Sequence, residues 1–202
     1  MEHDTSLQTM RVCLFFMPRM LQDDADADED EQGNTKLISA SVCGHVHIVR
    51  HLLRGASVKY VRHRNKRGMT ALMVAAQYNR PRIIQLLLNA DGSIEHLMME
   101  DEDGDTALTI ASSYGNYDTV DTLLKIDSSA EHISHINFEG YTALACALLN
   151  KDAFVVSKLI AHGATFFDLT PGMLDTLQPI VQAALTQNKT ILQSESSGSS
   201  HF

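Results

Sequence analysis

The sequence predicts an all-α protein: a solenoid of paired antiparallel helices joined by short hairpin fingers. Two observations carry this. A Gly-x-Thr-(Ala/Lys)-Leu string opens at Gly33, Gly68, Gly104 and Gly140, at spacings of 35, 36 and 36 residues. Each string is followed about twenty residues later by a Leu-Leu or Leu-Ile pair. A period this short and regular means stacked supersecondary units, not one globule around a central cleft.

The elements follow in order within each unit. Thr35, Thr70, Thr106 and Thr142 stand where an N-cap belongs, and a Thr hydroxyl there accepts a backbone N–H that the helix itself leaves unsatisfied, contributing roughly 1 kcal/mol. In the first helix, Leu72, Ala75 and Ala76 fall on one face, as a period near 3.6 requires. A turn follows. Asn79 and Lys151 occupy it at a position that favours positive φ, which Asn tolerates better than Lys. Pro81 comes next, in the first turn of a helix, where its missing N–H costs nothing. Second helices show i, i+1, i+4, i+5 stripes: Ile48-Val49 with Leu52-Leu53, Ile83-Ile84 with Leu87-Leu88, and Val155-Val156 with Leu159-Ile160.

These strings divide the chain into four units at 33–67, 68–103, 104–139 and 140–164. The third is the weakest by composition, with Ser112 and Thr119 at packing positions, and in the fourth Leu148 crowds a small-residue site. Local opening is expected to start in one of these two. Ahead of the units lie residues 1–22, read as an N-terminal cap or strand, and an acidic linker at 23–32. Behind them lie 165–193, a degenerate repeat or capping helix pair that hides the last apolar face, and a Ser/Gly tail at 194–202, expected to be disordered.

The chain resembles the ankyrin-repeat family, with divergent repeats. Gly33-Asn34-Thr35-Lys36-Leu37, Ala40, Gly44-His45, Leu52-Leu53 and Gly55-Ala56 follow the family pattern, and Thr70-Ala71-Leu72, Ala75-Ala76, Thr106-Ala107-Leu108, Gly115, Thr142-Ala143-Leu144, Ala147 and Gly163-Ala164 repeat it. Departures are also clear. The family's Pro after Thr is Lys36 or Ala, and the His that follows is Ile38, Met73, Thr109 or Ala145, so the Thr/His network that often ties neighbouring repeats is missing.

What the resemblance implies is a protein-protein interaction scaffold or adaptor that engages a protein partner through hairpin tips and the exposed face of each first helix. Carried over position by position, the partner-binding residues are Lys66, Arg67, Met69, Gln77 and Tyr78 in the second unit. The third supplies Glu102, Asp103, Asp105, Ser113 and Tyr114, and the fourth Phe138, Glu139, Tyr141, Leu149 and Asn150. Aromatic members are the sharper candidates, because rigid amphipathic rings concentrate interface energy. Phe138 and Tyr141 either expose two rings on one finger or cover a gap beneath the next unit.

Composition excludes several classes. At 202 residues and 44% apolar content the chain can bury a continuous core. No apolar stretch approaches the ~18 residues a membrane span needs, so no membrane insertion is expected. Val12-Cys13-Leu14-Phe15-Phe16-Met17 is cut short by Pro18 and lacks the features of a secretory signal. Cys13, Cys43 and Cys146 are odd in number and far apart, which reads as free thiols and a cytoplasmic or nuclear location.

Charge is uneven. The formal net charge is −9, and Asp23, Asp24, Asp26, Asp28, Glu29, Asp30 and Glu31 supply seven of the negative charges within nine residues. Such a block is ordinarily a solvated linker; the alternative is a self-masking arm, which would make the chain a regulatory or targeting subunit of an enzyme. Arg62, His63, Arg64, Lys66 and Arg67 form a basic finger between the acidic stretches Asp28–Glu31 and Glu100–Asp105. Charge pairing along the finger edge is expected there, and the surrounding acid argues against nucleic acid. Cys43, His45, His47 and His51 lie close in sequence, but no paired Cys supports a metal, and the residues read as turn and helix-surface positions. With no cofactor motif, metal site or catalytic constellation, the chain reads as a non-enzymatic monomer.

Overall fold

The computed structural model describes residues 29–165. The expected N-terminal cap, linker residues 23–28, C-terminal cap and tail lie outside them. Among the described residues the regular structure is helical, with no strand. These residues belong to two compact units divided between Ala107 and Leu108.

In the first unit the helices are α1 (Lys36–Cys43), α2 (Val46–Leu52), α3 (Val58–Val61), α4 (Ala71–Gln77), α5 (Pro81–Ala90) and α6 (Ile94–Leu97). α1 packs against α2 and α4, α4 against α5, and α2 against α5, so first helices stack on first helices and second on second. Leu37, Val49, Leu72, Ile83, Ile84 and Leu87 are fully buried between them. Complete burial of each such side chain is worth about 1.5–3 kcal/mol.

Next come α7 (Ala107–Ser113), α8 (Tyr117–Ile126), α9 (Ala130–Ile133), α10 (Ala143–Leu149) and α11 (Ala153–Ala161). In the second unit α10 packs on α11, and α11 on α8. Leu108, Val120, Leu123, Leu144, Leu148, Val155 and Leu159 form its core. Ser112 and Thr119 are indeed enclosed there, and the Ser112 hydroxyl is satisfied by donating to the Leu108 carbonyl at 2.8 Å. The expected crowding site, Leu148, is wholly buried.

Three of the four expected Thr caps form at the predicted positions. Thr35, Thr70 and Thr142 Oγ1 accept the N–H groups of Ile38, Met73 and Ala145, each at 3.3 Å. The turn after each first helix contains one left-handed residue, at Gly44 (φ 75°), Asn79 (φ 51°), Gly115 (φ 67°) and Lys151 (φ 60°). Asn and Lys thus adopt the backbone that Gly adopts at the equivalent positions, and only Lys lacks a short polar side chain to ease it.

The four-residue helices α3, α6 and α9 were not among the expected elements, because so short a segment offers no periodicity to read. Each begins at a Ser N-cap: Ser57, Ser93 and Ser129 accept from the N–H of Tyr60, His96 and His132.

Each finger is likewise organised by one residue. Asp30, Asn65, Asp101 and Asn137 recur at spacings of 35, 36 and 36 residues. Every one of them uses Oδ1 to accept two backbone N–H groups, two and four residues ahead, at 2.8–3.1 Å. An Asx side chain at this place folds the loop onto itself. Neighbouring fingers of the first unit then join through their backbones, Lys66 N–H to Gln32 O at 3.0 Å and Glu102 N–H to Arg67 O at 3.1 Å.

Candidate interaction surfaces

The finger row of the first unit brings the basic segment against its neighbours, but mostly through backbone oxygens. Lys66 Nζ donates to Glu31 O at 2.8 Å, Arg64 Nη2 to Glu100 O at 2.6 Å, and His63 Nε2 lies 3.1 Å from Gly33 O. Of the expected side-chain pairings, His63 Nε2 lies 3.5 Å from a Glu29 carboxylate oxygen along this edge. Arg62 leaves the finger row instead. It grips Asp91 with Nε to Oδ2 at 2.5 Å and Nη2 to Oδ1 at 3.2 Å, and also donates to Ser93 Oγ at 2.6 Å. The guanidinium beside Asp91 holds its carboxyl well below the usual carboxylate range, against the opposing effect of burial.

Asp91 also anchors a buried histidine. Asp91 Oδ1 accepts from Ser93 Oγ at 2.7 Å, while His96 Nδ1 lies 2.9 Å from the Asp91 backbone oxygen. The same Asp-x-Ser-x-x-His arrangement recurs 36 residues later in the second unit. There Ser129 Oγ donates to Asp127 Oδ2 at 3.0 Å, and His132 Nδ1 is 3.0 Å from Asp127 O. Because a carbonyl oxygen only accepts, Nδ1 carries a proton in both rings. Burial pushes both imidazoles below their ordinary range, more strongly than the hydrogen bonds to Asp91 and Asp127 raise them. Both Nε2 atoms are buried with no hydrogen-bond partner among the described residues. The signal for this device was present in the sequence as Asp91-Gly92-Ser93 with His96 and Asp127-Ser128-Ser129 with His132.

Of the residues expected to meet a partner, Lys66, Arg67, Glu102, Asp103, Glu139 and Asn150 are exposed, and Gln77, Tyr78, Asp105, Ser113 and Tyr141 are half-buried. Met69 is a correction. It is only 4% exposed, because the residue before the cap Thr70 turns inward to the core and is not presented at the finger tip. Phe138 presents its ring freely at 73% exposure, whereas Tyr141 on the same finger is half-buried. The two rings therefore do not form an exposed pair.

Several exposed apolar side chains gather at the opposite, helix-turn end of the second unit. Tyr114 (56% exposed) follows α7, and Leu149 (49%) ends α10. The two turns that carry them touch: a Cβ placed on Gly115 would lie 2.7 Å from Asn150 Nδ2 and 2.8 Å from Asp152 Oδ2. Tyr117 at the start of α8 and Phe154 (63%) at the start of α11 flank the same turns. Behind them Asp121 binds the ammonium groups of both Lys125 and Lys158. Burial pushes the Asp121 carboxyl up, but the two lysines outweigh it and hold it below its ordinary range. That bridge links α8 to α11 and steadies the patch. Tyr117 and Phe154 were not among the expected contacts, because both sit one or two residues inside a second helix, and the expectation covered first helices and fingers.

Cys43 departs from expectation. It is disulfide-bonded, whereas Cys146 is buried as a thiol. Distance along the chain, on which the expectation of three free thiols rested, does not set distance in a folded repeat array, and the compartment reading loses that support. Among the described residues no His, Cys, Asp and Glu group is arranged to hold a metal ion, and no helix is long and apolar enough to cross a membrane.

Comparison with known families completes the site. The profile described as ankyrin repeats, in three copies, matches residues 59–134 and 94–170, which together cover more than half of the chain. No curated protein gives a significant match. Repeated helix pairs closed by left-handed turns thus coincide from residue 59 onward with a family match over more than half of the chain, and the chain belongs to the ankyrin-repeat family.

Proposed function

We propose that this protein is a non-enzymatic interaction module that binds a protein partner through the second unit. Ankyrin repeats generally mediate protein-protein interactions. The observation that supports a specific place is the cluster of Tyr114, Tyr117, Leu149 and Phe154 around two touching turns. Large apolar groups gathered at one exposed place signify a binding surface more than scattered ones do, and aromatic anchors are where truncation costs most. Phe138 and Glu139 on the finger offer a second, smaller contact.

The test is affinity capture from cells that express the protein, using the wild type and a Tyr114→Ser/Leu149→Ser/Phe154→Ser variant. These side chains are exposed, so the variant should keep its helical circular dichroism. A protein retained by the wild type and lost by the variant supports the reading. Equal retention by both sinks it.

A further inference from the structure

Residues 33–90 hold ten of the chain's sixteen Lys and Arg residues and not one Asp or Glu. Some of these cations are internally engaged, as Arg62 and Arg64 are. Others gather on the outer helices of the first unit.

α2 buries Ile48, Val49 and Leu52, and exposes His47, Arg50 and His51, with Arg54 exposed just after its end. The spacing i, i+3, i+4, i+7 puts these four on one face. α2 packs along α5, whose exposed positions are Arg82, Gln85, Asn89 and Ala90, and α3, which exposes Val58 and Lys59, packs against α5 as well. Three elements therefore share one outer surface. Arg50, Arg54, Lys59 and Arg82 make no ion pair or side-chain hydrogen bond there among the described residues. No described acid of this unit lies on α2, α3 or α5 themselves. Glu29, Asp30 and Glu31 and the stretch Glu100–Asp105 are on fingers, while Asp91 and Glu95 face Arg62.

An ordinary solvated helix face mixes both signs, because like charges at i, i+4 repel. A face that carries only cations keeps a positive field that a neutral or basic partner does not use. We propose that this outer face docks an acidic segment of a protein partner. Its dimensions fit a short peptide: two helices about 10 Å apart, each near 10–15 Å long, span about six extended residues. They fit nucleic acid less well. A duplex presents phosphates over a longer track, which would meet the acidic fingers of the same unit. The surface differs from the apolar cluster of the second unit, so the two readings fail independently.

The experiment is fluorescence anisotropy of the full chain with a labelled peptide of about twelve alternating Asp and Glu residues, twice the span of the face. A full-length Asp23→Asn/Asp24→Asn/Asp26→Asn/Asp28→Asn variant is titrated in parallel, to remove competition from the chain's own acidic segment. Binding to either form is expected to weaken as salt rises. Arg50→Glu/Arg54→Glu/Arg82→Glu should lower affinity at least about tenfold, since charge reversal sets repulsion against attraction. Lys151→Glu, which reverses charge at an exposed position of the second unit, should change it less than about twofold. Circular dichroism establishes that the triple variant is folded. Absence of binding to both forms, an equal loss in the Lys151 variant, or tighter binding of duplex DNA than of the peptide would overturn the proposal.

Discussion

His96 Nδ1–H donates to the backbone carbonyl oxygen of Asp91 at 2.9 Å, and leaves Nε2 buried without a partner among the described residues. Charging that ring would place an unpaired N–H⁺ in the core, so the folded protein favours the neutral form. His132 stands in the same arrangement on Asp127.

This sets the sign of the pH dependence. The folded pKa of each histidine lies below its unfolded value of about 6.5, so the unfolded chain binds more protons as pH falls. The stability they contribute is present above about pH 6.5 and declines between that pH and the depressed folded pKa. Urea midpoints should fall as pH drops from about 7.5 to 5.5. Constant midpoints over that interval would mean the rings titrate normally. Asp91 acts in a separate window. Its lowered carboxyl contributes stability that is present above its unfolded pKa of about 4 and is lost in stronger acid.

Replacing Asp91 tests how far one carboxylate organises the first unit. Asp91→Ala removes the partner of Arg62 and the acceptor of Ser93. Because Arg62 is partly solvated, its loss of pairing is softened. Thermal or urea unfolding should show destabilisation of about 1–3 kcal/mol. Asp91→Asn should cost less, since an amide keeps one acceptor oxygen.

Asp101 makes the opposite electrostatic case. Burial raises its carboxyl pKa, helped by Asp105 and Asp103, even though it accepts two backbone N–H groups. Charge is therefore a burden there at neutral pH, and its cost grows as pH rises through the folded pKa. Asn65 and Asn137 do the same work in their fingers without charge. Asp101→Asn should leave stability unchanged or raise it by up to about 1 kcal/mol, whereas Asp101→Ala should lower it by about 1–3 kcal/mol. A larger loss from Asn than from Ala would refute the role assigned to the oxygen.

Backbone conformation gives a further test at the helix-to-helix turns. Lys151 adopts φ 60°, where a side chain with Cβ costs roughly 1–2 kcal/mol that is partly offset by the entropy glycine loses on folding. Lys151→Gly should stabilise by up to about 1 kcal/mol. Gly115→Ala should do the reverse. Its φ of 67° is unfavourable for alanine, and the new Cβ would crowd Asn150 and Asp152.

Sequence reading recovers the parts of this molecule that depend on local, repeated chemistry. Thr35, Thr70 and Thr142 cap helices because a hydroxyl at that spacing has an orphan N–H to bind, and Asn79 and Lys151 take positive φ because the turn demands it. It does not recover what depends on three-dimensional neighbours. Met69 looked like a finger residue but faces the core, and Arg62 looked like part of a basic finger but pairs with Asp91 across 29 residues. Tyr117 and Phe154 acquire meaning only when two turns touch at Gly115 and Asn150. The outer cationic face was legible in principle, since residues 33–90 lack any acid. Which cations remain unengaged required the packing of α2, α3 and α5.

The claim that the second unit carries the partner surface is tested most directly by hydrogen-exchange mass spectrometry of the protein with and without a captured partner. Slower exchange in the peptides covering residues 114–117 and 149–154 is the predicted result. Slowing confined to other segments, with these two unchanged in the complex, would contradict it.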